Sequence, residues 1–172
     1  MTSSELARAE SLIRSVPDYP KPGVLFRDIS PLLADGPALR ATTEALVAPF
    51  AGQFDIVAGI EARGFILAGA AALTAGTGFA PIRKAGKLPR PAAAVDYALE
   101  YGTSTIEMHD DLPAGCRVLL IDDVLATGGT LAAGREIVER LGYTVAGISV
   151  LFEIADLGGR ERIGDVHTVF TS

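Results

Sequence analysis

The segment from Arg117 to Thr130, RVLLIDDVLATGGT, constrains the fold of this 172-residue chain more than any other stretch. Residues 118–121 are all apolar, which is typical of a strand buried on both faces of a parallel sheet. Two adjacent carboxylates, Asp122 and Asp123, follow that strand. A turn of small residues comes next, made of Ala126, Thr127, Gly128, Gly129 and Thr130. This order predicts a ligand site at the carboxyl end of a central strand, where open α/β sheets bind their ligands.

The residue types of this segment suit a sugar phosphate. Adjacent carboxylates can accept hydrogen bonds from two vicinal hydroxyls, as an acidic residue does on the ribose in dinucleotide folds. The glycines let the backbone approach a phosphate, the threonines add hydroxyl donors, and a helix starting here adds its positive end. A glycine-rich turn alone is weak evidence, because Asp, Gly and Thr are common in strand-to-helix connections. Two neighbouring acids are stronger evidence, since uncompensated like charges side by side are destabilising.

The segment resembles the 5-phosphoribosyl diphosphate (PRPP) signature of the type I phosphoribosyltransferases. Four further stretches are similar to the members of that family that use adenine. They are Leu25–Pro31, Gly59–Phe65, Arg83–Pro89 and Leu99–Gly102. Because the stretches occur in order over nearly the whole chain, the chain is identified as a member of this family. The resemblance implies an α/β fold with a central, mostly parallel sheet flanked by helices, and a flexible lid over the active site.

Length and composition predict one domain over residues 1–172, since 49% of the residues are hydrophobic and a chain of this size can bury one substantial core. The single cysteine, Cys116, cannot form an internal disulfide, which favours a reducing cytoplasm. No stretch approaches the ~18 apolar residues of a membrane span, and the N-terminus lacks the apolar core of a signal peptide. The net charge of −6 argues against a nucleic-acid surface. We therefore expect neither a membrane nor a nucleic acid as a partner.

Hydrophobic periodicity predicts strands that alternate with helices, as in βαβ units. An amphipathic helix is expected from the N-terminus to Val16, and a second helix begins at Asp35-Gly36-Pro37. Buried strands are predicted over residues 55–60, 79–82, 118–121, 144–151 and 166–170, a helix over 65–73, and an antiparallel edge strand over 104–109. From Lys84 to Gly102, glycine and proline interrupt the pattern, and a long segment of this kind is often a lid.

Positive charge is concentrated at the start of this predicted lid, in Arg83, Lys84, Lys87 and Arg90. Such a cluster by itself is more often a solvated surface loop. The family resemblance implies that Lys84 and Lys87 bind the diphosphate of PRPP. It places Arg63 on the same diphosphate, and a planar guanidinium suits two parallel contacts to phosphate. Arg90 stands where family members often have Gly, so it is either a further phosphate contact or a plain surface charge.

The resemblance also implies how adenine is recognised, within a segment over residues 20–35. The backbone from Leu25 to Arg27 faces the amino edge of the base, Phe26 stacks on the purine, and Ile154 lies opposite. A 6-oxo purine would then place an acceptor against an acceptor, which costs about 1–3 kcal/mol or more. Glu100 matches the carboxylate that handles the proton on the purine N7.

Mg²⁺ is the cofactor that the resemblance implies. It would bridge the diphosphate and the ribose hydroxyls largely through water, because Mg²⁺ keeps much of its hydration and takes few protein ligands. The sequence shows no dedicated metal site, although Asp122 and Asp123 could assist through water.

Two other functions are compatible with parts of this pattern. A phosphoribosyltransferase for another base, such as a 6-oxopurine or orotate, would keep residues 122–130 but has no reason to keep Leu25 to Arg27 or Leu99 to Gly102. A non-catalytic sensor of PRPP or a nucleotide would lose Arg63 or the basic lid, and usually carries an added DNA-binding segment. The family also implies a homodimer, in which Arg83 or its neighbours would reach a partner's site.

Overall fold

The computed structural model describes residues 2–98 and 102–171. The chain forms two compact units, Met1–Ala45 and Leu46–Ser172, with the boundary inside one helix. Among the described residues, no helix combines the length and the apolar character that a membrane span needs.

The first unit contains two short helices, a small hairpin and the beginning of a longer helix. Its elements are α1 (Ser3–Ser11), β1 (Arg14–Pro17), β2 (Leu25–Asp28), α2 (Ser30–Ala34) and the larger part of α3 (Gly36–Val47). The predicted N-terminal helix is correct in kind but too long, because α1 ends at Ser11 and Val16 lies in β1, opposite Phe26. Val16 precedes Pro17, and a residue before proline avoids the helical region.

The start of α3 lies where the sequence predicts it, at Gly36. The Asp35 carboxylate accepts a hydrogen bond from the Ala38 backbone N–H at 2.9 Å, which satisfies one of the free donors of the first turn. Asp35 also pairs with Arg8 of α1, and the hydrogen bond from Arg8 lowers the pKa of Asp35. The side chain that caps α3 thereby joins it to α1.

The second unit is a seven-stranded mixed sheet with helices against it, so the predicted fold class is confirmed. Its strands are β3 (Ile56–Ile60), β4 (Gly78–Lys84), β5 (Ala93–Ala98), β6 (Thr103–Met108), β7 (Arg117–Leu125), β8 (Thr144–Glu153) and β9 (His167–Thr171). They lie in the order β5-β6-β4-β3-β7-β8-β9. The neighbouring strands β4, β3, β7, β8 and β9 are parallel to one another. In contrast, β6 pairs antiparallel with both β4 and β5.

Three helices belong to this unit, with short 3₁₀ turns at residues 48–50 and 155–157. They are α4 (Arg63–Ala75), α5 (Gly129–Arg140) and α6 (Gly159–Ile163). The core centres on β7, where residues 118–121 have no exposed surface, as the apolar run predicts. Leu131 and Ile137 of α5 pack into the same buried cluster. Their burial holds the first turns of α5 against the core, close to the end of β7.

The region predicted as a lid over residues 84–102 is partly regular, which corrects the sequence interpretation. Residues 93–98 form the edge strand β5, with Val95 opposite Ile106, and the irregular connection shortens to residues 85–92. The strand predicted at the edge, β6, is antiparallel as expected but lies between β4 and β5. Three consecutive alanines, 92–94, obscured the alternation that Val95 and Tyr97 show by being buried.

Candidate active site

Two neighbouring carboxylates form the centre of the site. Asp122 and Asp123 lie inside β7, whereas the sequence predicts that they follow the strand. The ladder to β8 continues past them, pairing Asp122 with Val150 and Leu125 with Glu153. A central strand keeps its backbone pairing whatever its side chains are, so the polar residues extend the strand instead of ending it. Both carboxylates are buried, with 7% and 8% of their surface exposed.

Burial and mutual repulsion govern the charge of these acids. Burial raises the pKa of Asp122 well above its ordinary value, and the adjacent Asp123 charge raises it further. Burial also raises the pKa of Asp123, while the charge of Arg63 acts in the opposite direction. Arg63 Nη2 lies 2.5 Å from Asp123 Oδ2, and Asp122 Oδ1 accepts from the Asp123 backbone N–H at 2.9 Å. Two buried carboxyls thus share one guanidinium, which favours binding of hydroxyl donors or a further cation.

The small-residue turn after β7 lines a cavity of about 90 Å³. Its lining comprises Asp122, Val124 and residues 126–131. Gly128 has a left-handed conformation, with φ of 76°, and precedes α5 without a side chain that could cap the helix. The first backbone N–H groups of α5 therefore lack a side-chain cap at the positive end of the helix. The cavity joins hydrogen-bond donors to a carboxylate, and the binding of a sugar phosphate there stays a prediction.

Close packing within the protein also restricts two glycines of this region. A Cβ on Gly128 would lie 2.7 Å from the Gly159 carbonyl oxygen. On Gly64, next to Arg63, it would lie 2.7 Å from Asp122 Oδ1. Real Cβ atoms do not approach so closely, so both positions require glycine before any ligand is considered.

Glu61 binds the basic segment at the end of β4, a role that sequence reasoning missed. Its carboxylate, with 9% of the side chain exposed, lies 2.8 Å from Lys87 Nζ and accepts from the Lys84 backbone N–H at 3.1 Å. Arg83 Nε approaches it to 3.4 Å. The hydrogen bond from Lys87 is the largest cause that lowers the pKa of Glu61 to about 2, so the carboxylate is ionised. Glu61 belongs to the Gly59–Phe65 stretch, which was the only signal available in the sequence.

The remaining predicted residues are distributed over both units. Ile154 follows β8, and its backbone N–H donates to the Leu125 carbonyl at 2.9 Å, at the end of β7. Arg90 is exposed in the connection after β4, with φ of 48°. Glu100 lies outside the described residues.

The predicted adenine contacts of the first unit lie on β2. Phe26 is half-buried and meets Tyr19 edge to face, with ring centroids 5.1 Å apart. Leu25 is 47% exposed, and the Arg27 guanidinium hydrogen-bonds Ser15 Oγ. The structure thus offers a half-buried aromatic ring and an exposed leucine on this hairpin, and their contact with a base stays a prediction.

In the described ranges 2–98 and 102–171, no group of three or more His, Cys, Asp or Glu side chains is arranged to hold a metal ion. In this site, Asp122 and Asp123 provide two neighbouring carboxylates, one fewer than such a group requires. Two carboxylates that lack full compensation suit a hard cation that takes few protein ligands and keeps water and substrate oxygens.

Comparison with known proteins gives consistent similarities. The Phosphoribosyl transferase domain model matches residues 38–170. A curated adenine phosphoribosyltransferase of Renibacterium salmoninarum is 60% identical over 155 residues, covering 90% of this chain and 85% of the relative. The crystal structure of adenine phosphoribosyltransferase from Rhodothermus marinus has a TM-score of 0.93 at 48% identity, covering 99% of this chain and 100% of that one. The APRTase of Giardia lamblia, complexed with 9-deazaadenine, has a TM-score of 0.91 at 40% identity, covering 97% of both chains.

Proposed function

The chain belongs to the phosphoribosyltransferase family, among the adenine phosphoribosyltransferases, and from this premise we propose that it transfers the 5-phosphoribosyl group of PRPP to adenine. It is a pentosyltransferase, and the products of the proposed reaction are AMP and diphosphate. In a cell this reaction would salvage free adenine. The observation that carries the proposal is the buried Asp122–Asp123 pair, which lies against Arg63 and beside the cavity of the turn 126–130.

The phosphate and the ribose are assigned to the end of β7 and the start of α5. The backbone N–H groups and threonine hydroxyls of residues 126–130 would donate to the 5′-phosphate, helped by the positive end of α5. Asp122 and Asp123 would accept hydrogen bonds from the two ribose hydroxyls. Asp123 is paired with Arg63, so a ribose hydroxyl bound to Asp123 would replace this guanidinium.

The diphosphate leaving group is assigned to Arg63, Lys84 and Lys87. Displacement at the ribose C1 needs no nucleophile from the protein, but it needs positioning, stabilisation of the charge that develops on the diphosphate, and exclusion of water. Arg63, once released from Asp123, would stabilise the charge that develops on the diphosphate. Lys87 would do the same after leaving Glu61, which lies 2.8 Å from its Nζ.

We propose Mg²⁺ as the cofactor of this reaction. Asp122 and Asp123 would hold the ion, mainly through water, because the donors are carboxylate oxygens and the pair is only partly compensated by Arg63. When bound, Mg²⁺ would neutralise charge on the diphosphate oxygens.

The adenine contacts are assigned to Leu25–Arg27, Ile154 and Glu100, as the family resemblance implies. The backbone of Leu25 to Arg27 would pair with the amino edge of the base, Phe26 would stack on it, and Glu100 would handle the N7 proton. The complex of the Giardia lamblia relative with 9-deazaadenine, an adenine analogue, supports this base as the substrate.

The remaining proposals concern the assembly and its surroundings. Ile66, Leu73 and Phe79 are exposed apolar side chains on α4 and β4, and Leu73 has 85% of its surface exposed. Burial of this surface by a second copy would support a homodimer.

The single cysteine, Cys116, is buried and free, which fits a reducing cytoplasm. We assign no nucleic-acid or membrane partner.

The decisive experiment measures AMP formation from PRPP and Mg²⁺, with adenine, hypoxanthine and guanine assayed in parallel. We expect adenine to be used at least about tenfold better than hypoxanthine, because the 6-oxo group would meet an acceptor. Equal use of hypoxanthine would refute the base assignment, and no product with any base would refute the activity.

A further inference from the structure

A second segment of the chain lies directly on the glycine turn of the candidate site. A Cβ built on Gly159, the first residue of α6, would lie 2.1 Å from the Ala126 carbonyl oxygen. A Cβ built on Gly128 would meet both the Gly159 carbonyl oxygen, at 2.7 Å, and Arg162 Cβ, at 3.4 Å. The two segments therefore touch along their backbones, and α6 forms a wall beside the turn.

An ion pair holds this wall in place. Arg160 of α6 donates to the buried Glu153 at the end of β8, from Nε at 3.1 Å and from Nη2 at 2.5 Å. Its Nη1 donates to the Val166 carbonyl at 2.8 Å. On the other side, Arg135 of α5 donates to the Ile163 carbonyl at 2.9 Å. These contacts attach α6 to β8 and α5 beside the turn.

Arg162 occupies a place that is unfavourable for an isolated cation. A Cβ built on Gly129, the first residue of α5, would lie 3.3 Å from Arg162 Nη1 and 3.8 Å from its Cζ. The guanidinium thus stands beside the positive end of a 12-residue helix, where anions and not cations are stabilised. Within the described part of the chain, no carboxylate forms an ion pair with Arg162. Among the described residues, the exposed Arg162 guanidinium therefore has no carboxylate counter-ion.

A phosphate would supply the missing negative charge. The N–H groups at the start of α5, the helix dipole and the guanidinium all favour an anion at the same place, and a guanidinium can bind two phosphate oxygens at once. On the basis of the proposed function, we propose that Arg162 binds the 5′-phosphate of PRPP and of AMP, together with the turn 126–130. The phosphate site then combines two segments that are separate in the sequence.

The test compares ligands with and without a phosphate. Arg162→Gln keeps a side chain of similar length and removes its charge. Calorimetric titration should show AMP binding weakened about tenfold or more, the value expected for a charge-assisted contact, and adenosine binding unchanged. In steady-state assays, KM for PRPP should rise by a similar factor, while KM for adenine stays the same.

Two further variants keep the outcome interpretable. Arg140→Gln removes the same charge from the last turn of α5, where Arg140 pairs with Glu136, and AMP binding should not change. Arg162→Lys retains the charge and should recover part of the AMP affinity, and it also serves if the Gln variant does not fold. Unchanged AMP binding in the Arg162 variants, or equal losses for AMP and adenosine, would overturn the assignment. A wild-type chain that binds AMP through Arg162 but forms none from adenine and PRPP would refute the proposed function alone.

Discussion

Asp123 and Arg63 satisfy each other in the site, although each is assigned to a different part of the substrate. Their 2.5 Å ion pair neutralises one of two buried carboxyls and keeps the guanidinium oriented. Such a pair is a poor source of net stability, because desolvation offsets much of the attraction. The ion pair holds Asp123 and Arg63 near the positions in which each would contact PRPP.

Asp123→Asn should therefore impair PRPP use more than folding. The amide lacks the charge that orients Arg63 and accepts from a ribose hydroxyl less strongly, so kcat/KM for PRPP should fall at least about tenfold. Steady-state kinetics with PRPP varied would measure this. Asp55→Asn is the matched control, since Asp55 forms a comparable ion pair with Arg117 at 2.6 Å, away from the assigned residues. An unchanged kcat/KM in Asp123→Asn would contradict the ribose contact.

Gly64→Ala should disturb the same acids through packing. The added Cβ would stand 2.7 Å from Asp122 Oδ1 in a buried environment, so we expect a loss of about 1–3 kcal/mol in the free energy of unfolding. Urea denaturation would measure it. Gly36→Ala, at the start of α3, meets nothing within 4 Å and should leave stability unchanged or slightly higher. Equal stabilities of the two variants would show that Asp122 can move aside.

At the scale of elements, the connection after β4 is tied to the end of β3 through Glu61. The Glu61 carboxylate contacts the side chains of Lys87 and Arg83 and the backbone N–H of Lys84, so it pairs with Lys87 among the cations assigned to the diphosphate. β3 and β4 are adjacent parallel strands, and their carboxyl ends bring these groups together. Glu61 thus acts as an internal anion for Lys87 and Arg83.

The pH dependence of stability should report this contact. The pKa of Glu61 falls from an ordinary 4.5 to about 2 in the folded chain, so its ionised form stabilises the native state above pH 4.5. That contribution is lost as the pH drops from 4.5 toward 2. The difference in free energy of unfolding between wild type and Glu61→Gln should be constant near neutral pH and shrink over this window. Urea unfolding at a series of pH values would show it, and a difference that persists to pH 2 would contradict it.

For the whole molecule, the exposed apolar side chains of α4 and β4 are the main unexplained surface. Ile66, Leu73 and Phe79 leave between 37% and 85% of their surface exposed. Single exposed apolar residues are ordinary, but several on neighbouring elements indicate a covered surface. A second copy of the chain is the occupant we propose.

Leu73→Glu should weaken this assembly. A carboxylate buried in an apolar interface without a partner is strongly unfavourable, so the variant should be mainly monomeric where the wild type is dimeric. Analytical ultracentrifugation would measure the mass of each. Leu157→Glu, which alters an exposed leucine on the 3₁₀ turn after β8, should leave the mass unchanged. A dimeric Leu73→Glu variant would place the interface elsewhere.

What the sequence determined by itself is the part of the site that is contiguous. The apolar run of β7, the two acids and the turn 126–130 follow one another, so the local pattern predicts their order, although the acids lie inside β7 and not after it. The order of the parallel strands β3, β4, β7, β8 and β9 was predictable for the same reason. The hairpin β5–β6 was missed in part because alanines conceal the alternation on which strand prediction depends.

The tertiary structure decided which distant residues meet. Arg63 pairs with Asp123 because β3 and β7 are neighbours in the sheet, and Arg162 stands over Gly129 because Glu153 anchors α6. The local sequence pattern predicts neither contact, because the sequence around an arginine does not show whether its side chain faces solvent or the end of a helix. Contacts of this kind depend on strand order and on the packing of connections, and these are properties of the folded chain as a whole.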